Sequence, residues 1–178
     1  MKKLSLQELN RISVDEFKEA KKIPVVIILD NIRSLSNIGS FFRTADALLI
    51  EKIFLVGITA QPPHREIRKT ALGATESVDW EYCESIEVLL RNLKSSYEII
   101  AIEQTNESIL LQEMEISKRK RYALIFGNEV NGISEAVIPY LDCAIEIPQF
   151  GTKHSFNVAI SGGIVMWEFA KKLLLKNE

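Results

Sequence analysis

The chain has 178 residues, 47% of them apolar and 26% charged, with a formal charge of −2 at pH 7. Those proportions are of an ordinary globular protein with enough chain to bury a core, and no apolar run reaches the roughly 20 residues that a bilayer span needs. Two cysteines, Cys83 and Cys143, lack the spacing of a zinc site or a disulfide framework.

The start, MKKLSLQELN, has two lysines but then turns polar, without the apolar core of a signal peptide, so a cytoplasmic protein is expected. Two capping-box patterns, Ser5 to Glu8 and Ser13 to Glu16, predict two short helices before Pro24. PVVIILD follows, a continuous β-branched run like a strand covered on both faces. Over 36–49, Ile38, Phe41, Phe42, Ala45, Leu48 and Leu49 recur at helical spacing, with Arg43 on the other side. KIFLVGIT predicts a second strand, QPPHREIRK a turn and a basic helix leading into TALGATESVDW, and 85–94 a further helix. YEIIAIEQ, YALIFG and CAIEIP read as the third, fourth and fifth strands, and 154–172 as a long final helix.

Strands that alternate with helices, and are apolar throughout rather than alternating in polarity, predict an α/β protein with a mostly parallel sheet flanked by helices. No linker or repeat divides the chain, so one domain over 1–178 is expected, with 1–23 as a helical extension. In such sheets ligands bind beyond the carboxyl ends of the strands. The polar loops DNIRSLSNIG, EQTNES, GNEVNG and PQFGTKHSFN all fall there.

No G-x-G-x-x-G follows the first strand, and neither a P-loop nor a G-x-S-x-G elbow occurs. Two histidines are few for a histidine-based triad. IFGNEVNGIS makes sense as a turn, with Gly127 and the pair Asn131-Gly132 supplying positive φ. That reading leaves Glu129 unexplained, an acid directly beyond an apolar strand that could hold an arginine or accept hydrogen bonds. Ser155 or Asn157 could cap the final helix. Gly162 and Gly163 lie inside it, each costing about 1 kcal/mol relative to alanine, which points to a close-packed face, within the chain or between two copies. Local clusters of cations occur at His64, Arg65, Arg68 and Lys69 and at 118–121, a weak sign of nucleic-acid contact.

Three ordered segments coincide with a known pattern: Asn37-x-Gly39-x-x-x-Arg43-Thr44-Ala45, then Phe126-Gly127-Asn128-Glu129-x-x-Gly132, then Ile147-Pro148 with Ser155-Phe156-Asn157-Val158. From about Pro24 to the final helix, the chain resembles the SpoU (TrmH-like) branch of the SPOUT RNA methyltransferases. The resemblance implies transfer of a methyl group from S-adenosylmethionine to a ribose 2′-oxygen of tRNA or rRNA. It also implies a deep C-terminal trefoil knot, a homodimer packed through the knot region and the final helix, and no metal. Cofactor-binding positions mapped in this way are Ile102, Gly127, Asn128, Ile147 and Phe156. Catalytic positions are Arg43, Asn37, Glu129, Ser155 and Asn157, and RNA contacts are Arg43, Arg65, Arg68, Lys69 and Lys120. Gln149 and Phe156 stand where the pattern commonly has methionine and leucine, which implies altered packing beside the adenosine. With no appended RNA-binding domain, recognition of RNA falls to the catalytic domain and its dimer.

Two readings of Arg43 stand side by side. One is a surface ion pair with Asp46, three residues on, worth about 0.2–0.5 kcal/mol. The other follows from the resemblance. Because a guanidinium stays protonated near neutral pH, the easier role is electrostatic, steadying an alkoxide or a phosphate, with Glu129 orienting it. Gly39 would leave room for a ribose-phosphate, Asn37 would cap the helix and bond substrate, and Ser155 and Asn157 would position the ribose. The competing functions are a non-catalytic RNA-binding protein of the same fold and a generic α/β small-molecule module.

Overall fold

A computed structural model describes residues 1–5 and 7–175. Leu6 and 176–178, which the expected single domain includes, lie outside the described residues. A 3₁₀ turn at Gln7–Leu9 and helix α1 (Val14–Glu19) open the chain. The Ser13 box closes both ways: Glu16 N donates to Ser13 Oγ at 3.2 Å, and Ser13 N to Glu16 Oε2 at 2.7 Å. Then follow β1 (Ile23–Asp30), α2 (Leu35–Ala47), β2 (Ile50–Val56), α3 (Arg65–Ala71), α4 (Ala74–Ser77), β3 (Trp80–Cys83) and α5 (Ile86–Leu93). The second half runs β4 (Glu98–Ile102), β5 (Ile109–Leu110), β6 (Tyr122–Phe126), β7 (Cys143–Glu146) and α6 (Val158–Ala170), which ends in a π turn at Lys171–Leu175.

The strands form one parallel sheet in the order β3-β2-β1-β6-β4-β7-β5. Alternate residues of β1 feed two cores. Val25, Ile27 and Leu29 pack with α2 and α6, and Val26 and Ile28 pack with α5. This double burial is why the strand is apolar without alternation. Two strands escape the sequence reading, β3 and β5. Both sit at an edge of the sheet, are short, and carry exposed residues such as Glu81 and Ile109, so neither makes an apolar run. β7 is inserted between β4 and β5.

Helix α2 starts one residue earlier than predicted and is capped by Ser34, whose Oγ accepts from Asn37 N at 3.3 Å. Asn37 is therefore not the cap, and its side chain is free for other work. Gly39 is buried against α3. A Cβ there would overlap the Ile67 carbonyl and Thr70, so the glycine admits a helix and not a ligand. The Arg43–Asp46 pair is not formed, since Asp46 accepts from the Ser77 hydroxyl. The final helix begins later than predicted, at Val158, with Asn157 as its cap. Within it, Gly162 lies against the Phe41 ring, which also meets Phe126 at 4.9 Å between centroids. Gly163 faces open space. The first glycine thus serves packing within the chain, and the second is left on an open face with Ile160 and Trp167, about half exposed at 56% and 50%.

Candidate functional site

At the carboxyl end of β6 the chain makes a tight turn over 127–134. Asn128 and Gly132 exchange backbone hydrogen bonds at 2.8 and 2.9 Å. The Asn128 Oδ1 accepts from Val130 N and Asn131 N at 2.9 and 3.1 Å. Positive φ is needed only at Gly132, at 69°, and not at Gly127 or Asn131. Gly127 matters for space instead, because a Cβ there would collide with the backbone of Gly132 and Ile133.

Strands β1 and β4 flank β6, and an acid at the end of β1 and another directly after β4 grip this turn. Asp30 Oδ2 accepts from Ser134 N at 2.9 Å, and Glu103 Oε2 accepts from Ile133 N at 3.2 Å. The neighbouring Asn31 donates to Asp30 Oδ1 at 2.7 Å, and its carbonyl receives Asn128 Nδ2 at 2.8 Å. Asp30 is buried, at 1% exposure. Burial pushes its carboxyl above the usual range, against the pull of the Ser134 and Asn31 donors.

Glu129 projects from the turn toward the start of α2. Its Oε2 accepts from Arg33 N and its Oε1 from Ser34 N, both at 3.0 Å, and Oε1 also from Asn37 Nδ2 at 3.1 Å. Partial burial raises the carboxyl, but the amides of Arg33 and Ser34, with Asn37, outweigh it and hold it below the usual range. Asn37 then passes the connection on: its Oδ1 accepts from Asn157 Nδ2 at 3.2 Å. Asn157 in turn caps α6 through Ala159 N at 2.9 Å and Ile160 N at 3.3 Å. Asn37 is thus joined, side chain to side chain, to two segments that each lie more than ninety residues further along the chain.

Between this bridge and the ends of β4, β6 and β7 lies a cavity of about 440 Å³, within the usual range for small-molecule sites. Ile102, Gly127, Asn128, Ile147 and Phe156 all line it, as do Glu129, Ser155 and Asn157. The loop 147–156, which supplies part of the wall, is held by two glutamine amides. Gln104 Nε2 and Gln149 Nε2 both donate to the His154 carbonyl, at 2.9 and 3.4 Å. Gln149, unusual for the resembled motif, thus gains a partner that methionine could not supply.

Arg43 does not line the cavity and touches neither Glu129 nor any other described partner. It stands exposed on α2, so the expected Glu129–Arg43 contact is replaced by the Glu129 bond to the start of α2. Arg65, Arg68 and Lys69 are exposed on α3. Thr70 Oγ1 of that helix donates to the Ser36 carbonyl at 3.2 Å, which sets α3 beside the site end of α2. Lys120 is elsewhere. It precedes β6 at the opposite edge of the sheet and pairs with Glu98 at 2.7 Å, so the geometry does not bring it to the cavity. Beside it, Lys94 pairs with Asp142 at 2.7 Å, and Arg121 pairs with Glu51 and lies 4.4 Å from the Tyr97 ring centroid. Burial, with Glu51 next to it, pushes the Tyr97 hydroxyl up to about 12. Sequence reasoning missed Asp30, Glu103, Gln104 and Glu146 as individual residues, although acids ending apolar strands are a readable signal. Among the described residues, no three His, Cys, Asp or Glu side chains cluster as a metal group, and Cys83 and Cys143 are free and half-buried.

A parallel α/β sheet whose strand ends and following loops enclose a polar-mouthed cavity defines a ligand-binding α/β protein of the kind that places its site at the carboxyl edge. The chain belongs to the SpoU rRNA Methylase family, whose model matches residues 24–167. It is 30% identical over 165 residues to the 23S rRNA (guanosine-2'-O-)-methyltransferase RlmB of Neisseria meningitidis, covering 92% of this chain and 65% of that protein. It is 26% identical over 160 residues to the tRNA (guanosine(18)-2'-O)-methyltransferase of Aquifex aeolicus, covering 86% and 72%. The AdoMet-bound rRNA methyltransferase from Sinorhizobium meliloti superposes with a TM-score of 0.79 at 25% identity, over 90% of this chain and 61% of that one. The chain therefore spans just under two thirds of the RlmB relative and of this solved structure.

Proposed function

We propose that this chain transfers a methyl group from S-adenosylmethionine to a ribose 2′-hydroxyl of tRNA or rRNA. The observation that carries the reading is the bridge Glu129–Asn37–Asn157, which ties the three family motifs together at the rim of one cavity. The cavity fits the cofactor chemically. Ile102, Ile147 and Phe156 would offer apolar wall to an adenine, and the acidic and amide groups of the lining would suit its polar and cationic parts. When bound, the cofactor supplies an electrophilic methyl group on a cationic sulfur.

The rest is the work of this chain's residues. The bridge fixes the rim before substrate arrives, and Ser155, which is exposed and lines the cavity, bonds the ribose. Positioning carries much of the rate. Arg43 acts as an electrostatic anchor for the ribose-phosphate, with Arg65, Arg68 and Lys69 extending the RNA track over α3. Residues 1–178 act as one catalytic domain with 1–23 as its extension. Two copies pair through the open face of α6 around Gly163 and Trp167. The protein works in the cytoplasm; none of its described helices is long and apolar enough to cross a membrane.

The test is incubation of the purified chain with methyl-labelled cofactor and separate tRNA and rRNA fractions, then nuclease digestion. Label in a 2′-O-methylnucleoside is the expected result. RNA retention without label would return the non-catalytic binding protein.

A further inference from the structure

Among the described residues, the cavity wall carries three carboxylates, Glu103, Glu129 and Glu146, and no lysine, arginine or histidine. Glu129 is engaged by the start of α2. Glu103 is fixed by two backbone amides, Gln104 N on Oε1 at 3.1 Å and Ile133 N on Oε2 at 3.2 Å, and still borders the cavity. Glu146 ends β7, and its side chain has no hydrogen bond or ion pair among the described residues. The one opposing feature is the positive end of α6, whose first turn also reaches the wall. Asn157 already occupies the Ala159 and Ile160 amides there. Neither Glu103 nor Glu146 belongs to the motif residues that carry the family resemblance.

We propose that Glu103 and Glu146 make this cavity select by charge, retaining the cationic sulfonium cofactor and releasing its neutral demethylated product. The inference rests on the methyltransferase reading and deepens it. Transfer breaks the sulfur–methyl bond, forms the oxygen–methyl bond and gives the hydroxyl proton to solvent. The ligand left behind has lost the sulfonium charge while keeping its ammonium and carboxylate. Carboxylates held in place beforehand, in a cleft partly closed to water, attract the first state more than the second. The consequence is weak product inhibition.

Calorimetric titration with three probes tests it: S-adenosylmethionine, S-adenosylhomocysteine, and sinefungin, whose amine replaces the methylated sulfur's charge. In low salt the two cationic ligands should bind at least about fivefold more tightly than the neutral product. Glu146→Gln, which breaks no contact in the fold, should narrow that ratio to about twofold or less, with Glu103→Gln acting in the same direction. If Glu103→Gln disturbs the turn, Glu146→Gln decides alone. Binding of all three probes with a ratio unchanged by Glu146→Gln overturns the charge selection and leaves the cofactor reading standing. Binding of none overturns the cofactor reading itself.

Discussion

The two clusters of positive charge, 64–69 and 118–121, look alike as strings of residues and differ in what holds them. At the starting edge of the sheet, Lys120, Arg121 and nearby Lys94 each meet a carboxylate, from Glu98, Glu51 and Asp142. On α3 and α2, Arg65, Arg68, Lys69 and Arg43 have no described partner. Charges already paired within the chain have little left to offer a phosphate, because binding must first break the pair. Unpaired cations beside the ligand end of the sheet retain their full attraction. Partnership within the fold, more than density along the chain, separates a neutralised face from one still able to attract a phosphate.

The largest effect that would break this contrast concerns Arg43. Replacing it with alanine should lower methyl transfer more than about 100-fold, while cofactor affinity and melting temperature hold, since its side chain supports no described contact. Arg43→Lys should also be severely impaired, because an ammonium lacks the planar two-pronged fit. Single-turnover methylation measures both. Near-normal turnover in the alanine variant would make the unpaired arginine an idle surface group.

Next in size are the carboxylates at the ligand edge, whose titrations have opposite signs. Glu129 is held below its ordinary 4.5, so its contribution is present above that value and lost as pH falls through the folded one. Asp30 is raised above its ordinary 3.8, so the native state holds the extra proton and stability falls as pH rises through that window. Glu129→Gln should cost about 1 kcal/mol at neutral pH, a deficit that shrinks on acidification. The deficit of Asp30→Asn should instead shrink as pH rises. Urea unfolding from about pH 3 to 7 reads both slopes, and parallel slopes would contradict the two environments.

Smaller still is the salt test of the clusters themselves. Arg68→Ala should reduce the salt slope of RNA binding by about one unit, and Lys120→Ala should leave it near the parent value. An equal loss in both would mean that the Glu98 pair opens at no cost when RNA arrives.

Much of this was legible before any coordinates. Burial on both faces made β1, β4, β6 and β7 stand out as apolar runs, and the motif residues Gly127, Asn128, Glu129 and Asn157 do meet at one cavity. What was hidden depends on distant partners. Nothing local to Gly39 says that α3 fills its space, and nothing local to Glu129 says that its acceptors face the start of α2 and not Arg43. The strand β3 was lost because an exposed edge does not need an apolar sequence.

The smallest prediction extends the same criterion from charges to apolar surface. Gly162 and Gly163 are neighbours in α6, yet one is closed by Phe41 and the other meets nothing among the described residues. In an isolated copy, Gly163→Ala should gain helix stability, up to about 1 kcal/mol, because the added methyl group enters open space. If a second copy lies against Ile160, Gly163 and Trp167, the same methyl group intrudes on it, and the gain turns into weaker association. Sedimentation of the parent and the variant across a concentration series, with thermal unfolding at each point, tells these apart. A variant more stable at every concentration with unchanged mass would show that no copy packs on that face. Stabilisation at low concentration combined with easier dissociation would place the partner on the open glycine.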